Sequence, residues 1–422
     1  MTSAQLAAWL ALAVVVVAVA TGYRRFEVAA ALVLLLLGVV GVAEPAALFS
    51  GFGHPALVTI VSLYVCSQAI IESHLLEGLG RLLETRLTGM GRQVLGLSTV
   101  TGLLSAFMNN VGALALVLPT AARMATRSRV SPGRFGMTLA WAAILGGTLT
   151  LAGSAPNIIV STYRAAVLGT PFRMFDFAPH GLAVCAAGAV MWRLVGARAM
   201  PPSGGEGPEP RDASQGAVAG PPFAPLATPQ RRLCLAILGA AILAVSLGWL
   251  GPSVGFGLAA VVLILAGVLE PAVAYRAVDL KVVLFLGSML GLGRVLEDTG
   301  ALQAVVAPLE PLVAGMGRLG LLAVVFALSL VLSNVLNNAA AAVLMGPVVI
   351  RIAAAGGPAG LDALLMAVAA GSCLALVFPT HQVTLMAMSR TPFAVRDFAR
   401  GGLALTLACG AAALVIISLV WR

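Results

Sequence analysis

Two pairs of adjacent asparagines, Asn109-Asn110 and Asn337-Asn338, stand in the middle of long apolar stretches, each pair four residues after a serine, Ser105 and Ser333. Downstream of each pair a further apolar run is interrupted. Gly146-Gly147-Thr148-Leu149-Thr150-Leu151-Ala152-Gly153-Ser154-Ala155-Pro156-Asn157 breaks the first, and Phe378-Pro379-Thr380-His381-Gln382 breaks the second. Asn110 to Ser154 is 44 residues and Asn338 to Thr380 is 42. Glycine and proline at these places unwind a helix. The chemistry open to such residues is ion binding. An asparagine amide carries a carbonyl acceptor and an NH2 donor, so it can hold a hard cation such as sodium through oxygen and donate to an anion. Unwound carbonyls add oxygen ligands, while half-helix N-termini offer free N–H groups and a positive dipole end to an anion.

These residues belong to a duplicated unit. Gly78-Leu79-Gly80-Arg81-Leu82-Leu83-Glu84 returns as Gly291-Leu292-Gly293-Arg294-Val295-Leu296-Glu297, and Gly89-Met90-Gly91-Arg92 as Gly315-Met316-Gly317-Arg318. The serine–asparagine strings follow, with Pro119 and Pro347 behind them; the offsets are 213, 226 and 228 residues. Polar, interrupted apolar segments at matching places in two halves point to a transport site.

The rest of the chain fits a membrane setting. Its 422 residues are 60% hydrophobic and 10% charged, with a mean hydropathy of +1.02, which excludes a soluble domain. Apolar runs at 5–22, 28–43, 55–73, 135–165, 178–196, 232–250, 254–270, 279–296, 361–389 and 401–421 predict about ten spans. The stretches 94–122 and 319–350 carry the asparagine pairs and are predicted as re-entrant hairpins of two half-length helices. The expected fold is therefore an all-α integral membrane protein, an inverted-repeat transporter with two oppositely oriented hairpins. Its parts are a first half at 1–200, a disordered linker at 201–230 and a second half at 231–422. The linker reading rests on eight prolines among polar residues in 201–229.

The net charge of +9 comes from 24 Arg and one Lys scattered through short loops, which excludes a nucleic-acid surface and supplies topology signals instead. Placing 75–93 in the cytoplasm puts 19 of the 25 basic residues on that side and both termini outside. Five spans then separate the repeats, an odd number that inverts the second copy. The N-terminus has no basic run before its apolar stretch and reads as a first span. The Arg-, Ala- and Gly-rich composition suggests a prokaryotic inner membrane. Residues 74–93 suit an interfacial helix or a plain surface helix, and both readings stay open.

Other candidates read more plainly. The five cysteines are far apart in apolar runs and are expected to pack. His381 reads as a structural donor, Lys281 as a paired or snorkelling anchor, and Asp362 and Glu270 as solvated span ends. Asn, Ser and Thr can also simply hydrogen-bond between helices; two matched hairpins with two matched breaks favour a site.

On these strings the chain resembles the divalent anion/sodium symporter family, close to its citrate-transporter-like permeases. That family carries Ser-Asn-Thr at two oppositely inserted hairpin tips and a glycine–proline–asparagine break in the following helix. The matches are Asn109-Asn110-Val111, Asn337-Asn338-Ala339, Gly153-Ser154-Ala155-Pro156-Asn157 and Pro379-Thr380-His381-Gln382. The resemblance implies Na+ as coupling ion, with one site from Ser105, Asn109, Asn110 and the Gly153 carbonyl. It implies a second from Ser333, Asn337, Asn338 and the backbone near Phe378. A small anionic substrate would lie near Asn110, Ser154, Asn338 and Thr380, beside Val111 and Ala339. It also implies a homodimer and elevator-type movement in the lipid bilayer. Val111 and Ala339 replace the family's threonines, so two hydroxyls are missing, and sulfate is as good a candidate as a dicarboxylate. Sodium/proton antiport or oxyanion efflux is an alternative, with His381 as the proton carrier. An intramembrane hydrolase using Ser154 and His381 is a third reading, which lacks any Gly-x-Ser-x-Gly or zinc motif.

Overall fold

The computed structural model describes residues 2–21, 23, 25–73, 89–127, 132–199, 228–307, 315–356, 359–378, 382–388 and 395–421. Residues 74–88 of the 74–93 stretch, residues 201–227 of the 201–230 linker, and Pro379, Thr380 and His381 lie outside the described residues.

The described elements form two matching series of helices. Ser3–Ala20, Phe26–Val39, Pro45–Phe49 with a single 3-10 turn, Pro55–Glu72, Met90–Ser105, Asn110–Arg127, Pro132–Gly146, Ala155–Leu168 and Ala178–Ala199 make the first. Thr228–Ser246, Pro252–Leu265, Pro271–Ala277, Leu280–Asp298, Arg318–Val335, Asn338–Ala354, Leu361–Cys373, Gln382–Met388 and Val395–Val420 answer them in order, and Ala301–Val306 follows Leu280–Asp298 in the second. Five helices among the described residues are long and apolar enough to cross a membrane, and six shorter apolar ones of 10–17 residues accompany them.

The packing is reciprocal. Helix 26–39 lies on 280–298, where the Phe26 and Phe285 rings stand 5.1 Å apart. Its counterpart 252–265 lies on 55–72, where the Cys66 thiol approaches the Phe256 carbonyl at 3.9 Å. In the same way 338–354 packs on 155–168, where the Tyr163 hydroxyl donates to the Val343 carbonyl at 2.9 Å, and 110–127 packs on 382–388. The last helices of the two series, 178–199 and 395–420, pack on each other. Along that pair the numbering runs in opposite senses. Trp421 meets Phe172 edge-to-face at 5.5 Å, the Cys409 thiol donates to the Val184 carbonyl at 3.4 Å, and Gly188 faces Leu405. Equivalent helices packed antiparallel cannot be related by an axis running along them, so the second copy is inverted.

Side-chain links join segments far apart in the chain. Gln5 donates to the Thr299 carbonyl, Arg351 to Gln303, and Arg318 to the Trp421 carbonyl. Arg164 binds both carboxylate oxygens of Asp362 at 2.9 and 3.1 Å. Each link joins groups expected on one and the same side. Asp362 is thus an ion-pair partner rather than a merely solvated span end, a contact that 198 residues of separation hid.

One expectation needs correction. The helices flanking the asparagine pairs run 90–105 with 110–127 and 318–335 with 338–354, beyond the 94–122 and 319–350 stretches. Arms of 16 to 18 residues are about 24–27 Å long at ~1.5 Å per residue, so they are not half-length. The apolar count stopped near Arg92 and Arg123, but the helical hydrogen-bond ladder runs on past both. Gly78–Glu84, the first copy of the string at Gly291–Glu297, lies outside the described residues, and the second copy lies in helix 280–298. Gly291 serves locally: a Cβ there would stand 2.4 Å from the Leu48 carbonyl, because the 45–53 segment lies against this helix.

Candidate functional site

Each asparagine pair divides its labour in the same way. Asn109 and Asn337 precede the outgoing arms and cap them, as asparagine does well. Asn109 Oδ1 accepts from the Gly112 N–H at 2.6 Å, and Asn337 Oδ1 from the Ala340 N–H at 2.8 Å. Asn110 and Asn338 are the first helical residues and remain half-buried, beside fully buried Ser105 and Ser333. Pro119 and Pro347 lie inside the outgoing arms, nine residues on in each copy.

The first break is built against the first tip. The Ser105 hydroxyl donates to Asn110 Oδ1 at 2.7 Å. Helix 132–146 comes close enough to the incoming arm that a Cβ on Gly146 would lie 2.2 Å from the Gly102 carbonyl. A Cβ on Gly147 would lie 2.6 Å from Asn110 Oδ1 and 2.9 Å from the Gly153 carbonyl. Two oxygens thus converge over a glycine, in a cradle that any side chain would fill. The Thr150 hydroxyl donates to the Ala106 carbonyl and accepts from the Gly153 N–H at 3.2 Å, tying break to tip. Asn157, 1% exposed, spans the break by donating to the Gly147 carbonyl at 3.2 Å and the Thr150 carbonyl at 2.8 Å.

The second break follows the plan with different bonds. The Ser333 hydroxyl donates to the Ser372 carbonyl at 2.6 Å. The Ser372 hydroxyl is itself buried without a partner. Asn338 Oδ1 accepts from the Ala339 N–H at 2.9 Å, and the Phe378 N–H donates to Asn334 Oδ1 at 3.4 Å. Helix 361–373 ends earlier than expected, at Cys373, and Phe378 is half exposed. Val111 packs against the apolar cluster around Leu114 and Val383, and Ala339 lies in the main core. Thr380 lies outside the described residues.

The halves meet at Ser154. It caps helix 155–168 without a side-chain hydrogen bond to it, and its Oγ accepts from the Cys373 thiol at 3.2 Å. The same thiol lies 3.8 Å from Asn157 Oδ1. Cys373 is therefore a polar contact between the two breaks and not only packing. Thr150, Asn157, Asn334, Ser372 and Cys373 carry roles that sequence reasoning did not assign. Asn157 was visible as the asparagine closing the break; the others depend on contacts between distant segments.

The donor set fits sodium: a hard cation takes oxygen ligands, and Asn110 Oδ1 with the Gly153 carbonyl at one break, and the unpartnered Ser372 hydroxyl at the other, are oxygens free to turn toward one. Substituting Asn157 by leucine removes two donors from the break, leaving the Gly147 carbonyl orphaned and the Thr150 carbonyl with only the Gly153 N–H at 3.4 Å. At roughly 1–3 kcal/mol for each buried unpaired group, the variant is expected to lose most transport and several degrees of thermal stability, read by uptake and by thermal unfolding in detergent. Unchanged melting would contradict the bridging role.

Inverted halves, each with a broken helix held against a hairpin-like helix pair, define a membrane transporter. The chain belongs to the citrate transporter family, whose model, CitMHS, matches residues 11–371. The fold is similar to that of the YdaH transporter of Alcanivorax borkumensis, with a TM-score of 0.60 at 13% identity over 89% of this chain and 87% of that one. In sequence the chain is 30% identical over 165 residues to the uncharacterized transporter sll0640 of Synechocystis sp., covering 39% of this chain and 27% of that protein. It is 30% identical over 187 residues to the uncharacterized transporter YfbS of Escherichia coli, 44% of this chain and 30% of that protein. It is 28% identical over 151 residues to sodium/sulfate cotransporter 1 of Chlamydomonas reinhardtii, 34% of this chain and 17% of that protein. The matched segments thus span less than a third of these curated relatives. The family consists of membrane transporters and not enzymes, which closes the hydrolase reading.

Proposed function

We propose that the protein carries a small divalent oxyanion, sulfate or a dicarboxylate, across the membrane in symport with sodium. The observation that supports this most strongly is the convergence of Asn110 Oδ1 and the Gly153 carbonyl over Gly147. Sodium held there and at the inverted site of Ser333, Asn337, Asn338, Ser372 and the Phe378 backbone supplies positive field that no Arg or Lys of either tip provides. Asn109 and Asn337 contribute the lone pairs their caps leave free. The anion binds between the tips, near Asn110, Ser154, Asn338 and Thr380. The N-terminus of helix 155–168 favours its charge, and Ser154, whose hydrogen is not committed to the helix, donates to it. Val111 and Ala339 bring no hydroxyl, so backbone N–H groups and amides do the recognition, which suits a compact tetrahedral oxyanion such as sulfate. Chlamydomonas reinhardtii relatives named sodium/sulfate cotransporter 1 and 2 and probable sodium/sulfate cotransporter 3 agree with that chemistry.

In this reading the hairpin pairs and broken helices move together, as an elevator, against a scaffold made of the remaining spans, in a homodimer. Both termini face outward from a prokaryotic inner membrane. The test is uptake of labelled sulfate, succinate and citrate into proteoliposomes. Accumulation under an inward sodium gradient supports the proposal and names the substrate. Movement under a proton gradient alone, or of sodium without any anion, sinks it in favour of antiport or efflux.

A further inference from the structure

We propose that an acyl chain of a bilayer lipid occupies a cavity which the second repeat fills with its own side chain and the first leaves open. The cavity, of about 250 Å³, lies between arm 90–105 and helices 132–146, 178–199 and 395–420. In the second repeat Phe326 stands seven residues before the hairpin serine Ser333. Its ring is buried against helix 395–420, so close that a Cβ on Gly410 would lie 2.8 Å from Cζ. Seven residues before Ser105 the first repeat has Ser98, and helix 178–199 presents Cys185 and Gly188 to the same space. A hydroxymethyl in place of a phenyl ring leaves the volume unfilled.

The character of the walls decides the occupant. Leu95, Leu103 and Leu182 border the cavity and are 46%, 56% and 61% exposed, so it is bounded by leucines on the outer helix flanks, with Leu149 of the first break also lining it. On a membrane-spanning helix the outer flank faces lipid. Ser98 and Trp141 belong to the walls, but Ser98 Oγ and Trp141 Nε1 are themselves buried away from the space. The surface that the cavity presents is therefore almost wholly apolar, and an acyl chain matches it. Gly102, where the arm touches Gly146, also lines the cavity, so the chain would brace the contact on which the first break rests.

Native mass spectrometry of the purified full-length protein, titrated with dioleoyl phosphatidylglycerol, tests this. The wild type is expected to hold one more tightly bound lipid per chain than Ser98→Phe, which copies the second repeat and should bind it about tenfold more weakly. Ser98→Thr should bind like the wild type. Equal binding by wild type and Ser98→Phe would overturn the proposal, as would a dimer that separates on Ser98→Phe, which would put a second chain in the cavity. If Ser98→Phe does not fold, electron cryomicroscopy of the wild type in nanodiscs decides. Elongated density beside Trp141 and Leu182 supports the lipid, and an empty cavity or one filled by ordered water refutes it. None of these readouts depends on which ion or anion is transported.

Discussion

Asn110→Ala is expected to reduce sodium-driven uptake on the order of 100-fold while the protein still purifies as a folded, monodisperse species. The amide is half-buried, accepts from Ser105 and lies over Gly147 beside the Gly153 carbonyl. In the proposed site its removal deletes one ion ligand, and a strong polar interaction of this kind is worth roughly 1.5–3 kcal/mol. The Ser105 hydroxyl is orphaned as well, which should lower the melting temperature by a few degrees. Asn338→Ala should abolish uptake as thoroughly at a smaller cost in stability, because Asn338 Oδ1 accepts only from the next residue's N–H. Near-normal uptake by both variants would remove the asparagine pairs from the site. Loss of uptake with loss of folding in both would make them structural.

The second large effect is expected at the adjacent glycines. A methyl on Gly147 would lie 2.6 Å from Asn110 Oδ1 and 2.9 Å from the Gly153 carbonyl, inside the cradle itself. Gly147→Ala should therefore fold, at an overpacking cost of roughly 1–3 kcal/mol, and transport almost nothing at any sodium concentration. A methyl on Gly146 would lie 2.2 Å from the Gly102 carbonyl and must push the arm from helix 132–146. Gly146→Ala should fail earlier, in yield and melting temperature. The contrast between neighbours is the informative result, read by uptake together with size-exclusion elution. Sodium-dependent uptake at the wild-type level in Gly147→Ala would show that the space over this glycine is not used.

The duplication, the two asparagine pairs and the two breaks were legible because glycine, proline and asparagine act locally. They interrupt a helix wherever they stand. The same local logic marks Asn109 and Asn337 as caps, and Glu44-Pro45 and Glu270-Pro271 as the starts of the short paired helices at 45–49 and 271–277, a signal that went unread. The inversion was legible only as a parity of spans; the antiparallel pairing of 178–199 with 395–420 supplies its geometry. What stayed out of reach depends on which chain segments meet. Cys373 on Ser154, Thr150 on Ala106 and Asp362 on Arg164 join residues 219, 44 and 198 positions apart. No pattern within one helix announces them. The arm lengths were underestimated for a simpler reason, because hydropathy ends at the first arginines while the helical hydrogen-bond ladder does not.

The central claim is that each inverted half holds one sodium that must be bound before the anion moves. Initial rates of labelled-anion uptake into proteoliposomes, measured across sodium concentrations at fixed anion and membrane potential, test it most directly. Two required sites predict a sigmoidal rise with a Hill coefficient of about 2, since the coefficient is bounded by the number of sites. A rate independent of sodium, or one that saturates along a simple hyperbola, would contradict it.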